Sequence, residues 1–250
     1  FHYEAAAPAL ISAVRMRAIS GTRGIMSPDA LATTFPPDDP HFSPIKLVCL
    51  EDTANRGGGS VYPMKIISSI QEIARAHNAK LHLDGARLFN AQVSSGISVL
   101  ERAKGFDTVS ICFSKGLGAP VGSALCMPTS MKRDAIRVRK MLGGGMRQSG
   151  ILAAAARYAL EHNIEKMEQD HHNARMFALA LSELEIQVQA PQSNMVYFSH
   201  PKAQLLAEKL KENQLWVLSL GPNTIRAVFH LGISQKDTHR AIEIIKSTNF

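Results

Sequence analysis

Long apolar runs are missing from this 250-residue chain. No stretch approaches the roughly 18 apolar residues that would argue for a membrane-crossing helix, so no span is expected. The first ten residues show no basic stretch followed by an apolar one, the pattern of a secretory signal. They also lack an initiator methionine, so the sequence reads as a fragment or a processed chain. Cysteine is scarce: Cys49, Cys112 and Cys126 are the only three. An odd number without metal-ligand spacing gives neither a disulfide framework nor a zinc site. Each lies in an apolar run (KLVCL, VSICF, ALCM) and is expected to be a small core residue. A reducing, cytoplasmic setting is the expectation from that usage. Internal repeats and low-complexity tracts are also absent, which excludes solenoid, collagen and disordered classes.

What remains is an ordinary globular composition, 45% hydrophobic and 20% charged, long enough for one or two domains. The net charge of +7 raises the question of nucleic acid. The basic residues are scattered, and the densest run, Lys132-Arg133 to Arg139-Lys140, has no aromatic partner and no recognition motif. That pattern argues against a nucleic-acid partner. It fits a solvated helix face or a phosphate-binding wall at a subunit boundary.

The middle of the chain alternates short β-rich runs with helical periodicity, as a parallel sheet with crossover helices does. Strands are expected at Lys46–Glu51, Lys80–Asp84, Thr108–Phe113 and Ser123–Met127. A helix opens at Pro63, with Ile66, Ile70, Ile73 and His77 on one face and Gln71 on another. Helices are also expected over about 130–141 and 149–162, with Gly143-Gly144-Gly145 between them. Beyond about Glu168 the order becomes helix, two strands, helix, a strand pair and a last helix from Ser234. Asp237 stands three residues into that helix and completes a capping box. The division is a larger α/β domain, 1–168, and a smaller α+β domain, 169–250.

In open α/β sheets ligands bind beyond the carboxyl ends of the strands. Asp84 and Lys115 end two of the expected strands, 115 − 84 = 31 residues apart, about one βαβ unit. A lysine and an aspartate in one crevice suit pyridoxal phosphate (PLP), which needs an amine for its aldehyde and a carboxylate for its pyridine nitrogen. Spacing alone leaves open that both are surface residues at loop starts.

The longer strings are more specific. His82-Leu83-Asp84-Gly85-Ala86-Arg87-Leu88-Phe89-Asn90-Ala91 and the run from Ser110 to Ser123, with Ser114-Lys115-Gly116-Leu117-Gly118 at its centre, closely resemble two signature segments of the L-threonine aldolases. Arg139 to Gln148, holding Gly143-Gly144-Gly145-Met146-Arg147, resembles a third. The resemblance extends over essentially the whole chain and is strongest from Leu47 to Ala156. It implies a PLP enzyme of fold type I, in the aspartate aminotransferase-like, beta-eliminating lyase group. The expected architecture is a mostly parallel sheet with helices on both faces, plus the smaller α+β domain.

The resemblance also implies roles. Lys115 would hold the cofactor, Asp84 the pyridine nitrogen, and Arg87 the side of the phenolic oxygen, with Asn55. Ser114 would donate to the phosphate, and Arg147, with Lys140 nearby, would reach a neighbouring subunit's cofactor in a dimer of dimers. Arg226 would clamp the substrate carboxylate, and His41, in Asp38-Asp39-Pro40-His41-Phe42, would stand by the substrate hydroxyl. Met141 and Met146 read as core or interface packing. No metal ligand is assigned.

Three departures from the family pattern stand out. Glu51-Asp52-Thr53-Ala54-Asn55 has aspartate where the family has asparagine and alanine where it has histidine. The insertion-like Arg56–Ser60 next to it is expected to alter substrate access. His2 is not placed as the family's ring-stacking histidine, and the phosphate cradle is expected to lie in a segment before Phe1. The implied activity is retro-aldol cleavage of L-threonine or L-allo-threonine to glycine and acetaldehyde. The alternative is a shortened, non-catalytic form that associates with full-length subunits.

Overall fold

The computed structural model describes residues 4–248; His2 and Tyr3 lie outside them. A short helix α1 (Ala7–Ser12) leads to a hairpin, β1 (Gly21–Thr22) and β2 (Ile25–Met26), then α2 (Pro28–Ala32). The main α/β run follows: β3 (Leu47–Glu51), α3 (Met64–Ala76), β4 (Lys80–Asp84), α4 (Leu88–Ser95), α5 (Val99–Ala103), β5 (Thr108–Cys112) and β6 (Ser123–Cys126). Two helices, α6 (Lys132–Met141) and α7 (Gly150–His162), precede the long α8 (Met167–Glu183). The remainder is β7 (Val188–Gln189), β8 (Met195–Ser199), α9 (Ala203–Glu212), β9 (Leu218–Ser219), β10 (Thr224–Val228) and α10 (Gln235–Ser247).

The larger sheet has the order β3-β4-β5-β6, with the first three strands parallel and β6 antiparallel. Successive strand residues point to opposite faces, and one alternation, Val48, Leu50, Leu81, Leu83 and Val109, is buried with Ile67, Ile70 and Ala74 of α3. The other alternation stays open along its amino-terminal half, where Leu47 and Cys49 are exposed. The expectation of core cysteines is therefore corrected. Cys49 and Cys126 are exposed and Cys112 is half-buried, because an apolar run does not reveal which alternation has a covering partner. On α3 the buried face centres on Ile67, Ile70, Gln71 and Ala74 rather than on His77. Gln71 turns inward because its amide donates to the Lys104 carbonyl (2.8 Å), while His77 lies exposed and stacks on Phe35.

The smaller sheet is antiparallel throughout, in the order β7-β8-β10-β9. Its core joins Val196, Phe198, Ile225 and Ala227 to Phe177 and Leu181 of α8 and Ile245 of α10. The capping box at Ser234 and Asp237 is formed. Helix α8 serves both domains. Met167, in its first turn, packs with Phe89, Leu117 and Ala159, whereas its later turns build the small-domain core.

The polar anchor of the larger domain is fully buried. Arg102 on α5 donates from Nε to Asp52 Oδ2 (2.9 Å), from Nη2 to the Tyr62 carbonyl (2.7 Å) and from Nη1 to Ser95 Oγ (3.1 Å). The Tyr62 N–H donates to Asp52 Oδ1 (3.2 Å). Tyr62 in turn receives the Met26 N–H (2.8 Å) and donates to the Gly24 carbonyl (3.1 Å). The aspartate that departs from the family pattern thus has a cation of its own.

Removing one partner of a buried ion pair strands the other, at a cost of about 3–5 kcal/mol. Arg102→Ala should lower the unfolding free energy in urea by that amount, with an unchanged dependence on urea concentration. A loss below about 1 kcal/mol, the value of an exposed pair, would show that the anchor is dispensable.

Candidate active site

The carboxyl ends of β3, β4 and β5 bring four charged residues together. Glu51 and Asp84 are in register on neighbouring strands, and Asp84 is in register with Ser110. Asp84 Oδ1 accepts the Ala86 N–H (3.0 Å), so the turn after β4 fixes the carboxylate. Arg87, three residues on, occupies the cap position of α4 and stands 3.7 Å from Glu51 Oε1 through Nη1. Burial lowers its proton affinity, and Glu51 opposes that effect. Glu51 itself is pushed above the usual carboxylate range by burial, and Lys115 and Arg87 are among the charges that pull it back.

Lys115 lies on the loop after β5. That loop is pinned by Gly118 N–H to the Lys115 carbonyl (2.8 Å), Ala119 N–H to the Phe113 carbonyl (2.9 Å) and the Asn163 amide to the Leu117 carbonyl (2.8 Å). The lysine is exposed while Gly116 and Leu117 behind it are buried. Gly116 has no room for a side chain: a Cβ there would meet Asn90 Nδ2 at 2.7 Å.

From the small domain, Arg226 on β10 reaches across and donates from Nη1 to Asn55 Oδ1 (2.8 Å). Tyr197, its register partner on β8, donates to the Asn55 carbonyl (2.7 Å). Arg226 Nε is buried and has no hydrogen-bond partner among the described residues, leaving a donor for an anion. Arg87 and Arg226 also sense each other's charge. Lys115, Asp84, Arg87, Asn55 and Arg226 thus converge.

Three other expected site residues stand apart. Ser114, next to Lys115 in the chain, is exposed, and its hydroxyl has no hydrogen bond among the described residues. Arg147 lies on the exposed segment between α6 and α7, beside exposed Met141 and Met146; neither methionine is core. His41 is 89% exposed in a loop, its Nδ1 2.9 Å from Asp39. The Arg56–Ser60 turn, expected to alter substrate access, packs against the small domain beside Asn55. Gly57, Gly58, Gly59 and Ser60 are buried, the Gln189 amide donates to the Gly57 carbonyl (2.8 Å) and Ser193 to that of Gly59 (2.7 Å). Its glycines let the two domains meet: a Cβ at Gly59, where φ is +71°, would collide with Ser193.

Sequence reading did not single out Glu51, Tyr197, His171 or Asp170. Glu51 was visible as a carboxylate at a strand end, in the same position as Asp84.

The family model for beta-eliminating lyases matches residues 1–201. The chain belongs to that family. It is 40% identical over 202 residues to low-specificity L-threonine aldolase 1 of Arabidopsis thaliana, covering 78% of this chain and 56% of the relative. It is 39% identical over 237 residues to the low-specificity L-threonine aldolase of Escherichia coli K12, covering 94% of this chain and 70% of the relative. The chain therefore spans little more than half the length of the plant relative. A solved threonine aldolase from Leishmania major shares the fold, with a TM-score of 0.79 at 21% identity, over 95% of this chain and 71% of that one. Fold type I, a mostly parallel sheet with a smaller α+β unit, is the architecture of the family member described here.

Beneath the lysine loop lies a buried polar pair. His171 Nε2 bonds Asn90 Oδ1 at 2.9 Å, which places its proton on Nε2. Burial lowers the His171 pKa to about 4 and raises that of Asp170 to about 6. Between those values the folded chain keeps a proton on Asp170 and none on His171. The unfolded chain, titrating near 3.8 and 6.5, does the reverse. Each state holds one proton, so the pair leaves stability flat with pH. Asp170→Asn should unmask His171: relative to the parent, stability falls as pH drops from about 6.5 to about 4, by up to about 1.4 kcal/mol per pH unit. His171→Gln should do the opposite below about pH 6. Urea unfolding across this range checks both, and slopes equal to the parent's would show that neither group is shifted.

Proposed function

We propose that this site binds PLP and an amino acid and performs retro-aldol cleavage of L-threonine or L-allo-threonine to glycine and acetaldehyde. The observation that carries the proposal is the convergence of Lys115, Asp84, Arg87 and Asn55 with Arg226, whose buried Nε has no hydrogen-bond partner among the described residues. That set fits the ring end of PLP: an amine for the aldehyde, a fixed carboxylate for the pyridine nitrogen, and cations for the phenolic oxygen and for a substrate carboxylate. When bound, PLP supplies the electron sink that makes a carbanion at Cα accessible.

The chain's own residues do the rest. Lys115 would hold the cofactor through its amine. Asp84, one oxygen already held by Ala86, keeps its other oxygen for the protonated ring nitrogen. Arg226 takes the substrate carboxylate in a planar fork, which orients the Cα–Cβ bond. The β-hydroxyl proton leaves to a base and the Cα–Cβ bond breaks. Acetaldehyde departs, and Cα, which keeps the electron pair, takes up a proton to give glycine. His41 or a water that it orients is the base assigned by family resemblance. Ser114 and Arg147 are assigned to phosphate by the same resemblance, with Arg147 serving a neighbouring copy. A homo-oligomer is part of the reading, supported by the exposed Ile136, Met141, Leu142, Met146 and Ile151. Three free thiols among the described residues fit a reducing compartment, and no described helix is long and apolar enough to cross a membrane.

The test is the visible spectrum of the purified chain with added PLP, beside Lys115→Ala, followed by L-threonine and a glycine assay. The parent should gain a band that the variant lacks, and the variant should lose about a thousandfold or more in glycine release. No Lys115-dependent band would favour the non-catalytic reading, a form that associates with full-length subunits. In a binding-competent chain, Arg226→Lys should raise KM for threonine by about tenfold, since a lysine cannot make the bidentate contact; an unchanged KM would remove Arg226 from the substrate site.

A further inference from the structure

Glu51 stands in the crevice without a role in the reading above. It ends β3 beside Asp84, and the Asn55 backbone N–H donates to it. Side chains in register on adjacent strands face the same way, so Glu51 opens toward the same space as Asp84. Its Oε1 lies 3.7 Å from Arg87 Nη1. Glu51 is the leading favourable charge on Arg87, ahead of Asp84, while Arg226 opposes it from β10. Two guanidinium groups therefore share one crevice, and only one of them has an anchor in Asn55. Arg226 is fixed by that amide; the Arg87 guanidinium has no hydrogen bond among the described residues and relies on its ion pair with Glu51.

We infer that Glu51 is a positioning residue that holds Arg87 in the crevice against Arg226, so that Arg87 is in place for the phenolic-oxygen side of the PLP ring. The inference rests on the PLP reading of the same site. The charged groups facing Glu51 are Asp84, which disfavours its ionised form, and Arg87 and Lys115, which favour it. Burial outweighs the cations, so the carboxyl gains its proton at a higher pH than an ordinary glutamate, and the hold on Arg87 slackens as pH falls through that raised range.

The first arm needs no cofactor. Arg87 of the purified chain is modified with phenylglyoxal and the rate followed by peptide mass spectrometry, in the parent, Glu51→Gln and Glu51→Asp, with thermal melting as the check that each is folded. A partly exposed ion pair is worth up to about 1 kcal/mol, a factor of about five, so Glu51→Gln should speed modification about three- to fivefold, with Glu51→Asp between. The second arm measures PLP uptake by equilibrium dialysis against pH. The parent should bind more weakly as pH falls; Glu51→Gln should bind about three- to fivefold more weakly at neutral pH and show less of that decline. Equal modification rates, or equal PLP affinity and pH dependence in parent and Glu51→Gln, overturn the inference. Lys115-dependent uptake in the parent with no effect of Glu51 sinks this inference alone, whereas no uptake in the parent sinks the PLP reading as well.

Discussion

The buried bond between Arg102 and Asp52 is the constraint on which the carboxyl end of the larger sheet depends. It closes the carboxyl end of β3 against α5 and, through the Tyr62 backbone, against the start of α3. Glu51 immediately precedes Asp52 and Asn55 follows three residues later, so both inherit their position from this pair. A buried ion pair adds little net stability compared with apolar packing, and its attested use is to specify one arrangement. Here the arrangement is the exit direction of the chain from β3, which sends the Gly57–Ser60 turn to the small domain rather than to solvent.

The site is divided between elements that meet only after folding. Asp84 and Arg87 come from one βα turn, Lys115 from the loop after β5, and Arg226 and Tyr197 from neighbouring small-domain strands. Asn55 links the halves, since its side chain receives Arg226 and its carbonyl receives Tyr197. Any group bound between Asp84 and Arg226 is therefore gripped by both domains, and the polar contacts that join them are the ones that shape the crevice.

Much of this was legible in the sequence. The strands at 47–51, 80–84 and 108–112 follow from short β-rich runs bounded by glycine and polar residues, and the ends of two of them marked Asp84 and Lys115. The capping box at Ser234 was readable because it is local. What escaped depends on partners distant in the chain. LVCL reads as uniformly apolar, yet only Val48 and Leu50 pack against the covering helix, so Cys49 was misplaced. Gln71 looks polar and outward until the Lys104 carbonyl is beside it. The glycines at 57–59 resemble a flexible insertion, and only contact with Gln189 and Ser193 reveals a seam. His41 has a recognisable string, but its ring is exposed and bonds Asp39 in its own loop.

Helix α8 begins under the lysine loop, where His171 holds Asn90 against Gly116, and ends inside the small-domain core with Phe177 and Leu181. It is a rigid rod with one end below Lys115 and the other fixed to the sheet that bears Arg226. A tilt of the small domain is thereby geared to the floor beneath the lysine. Arg226 and Lys115 are thus joined through one helix as well as across the crevice, and the spacing between them is not set by the crevice alone.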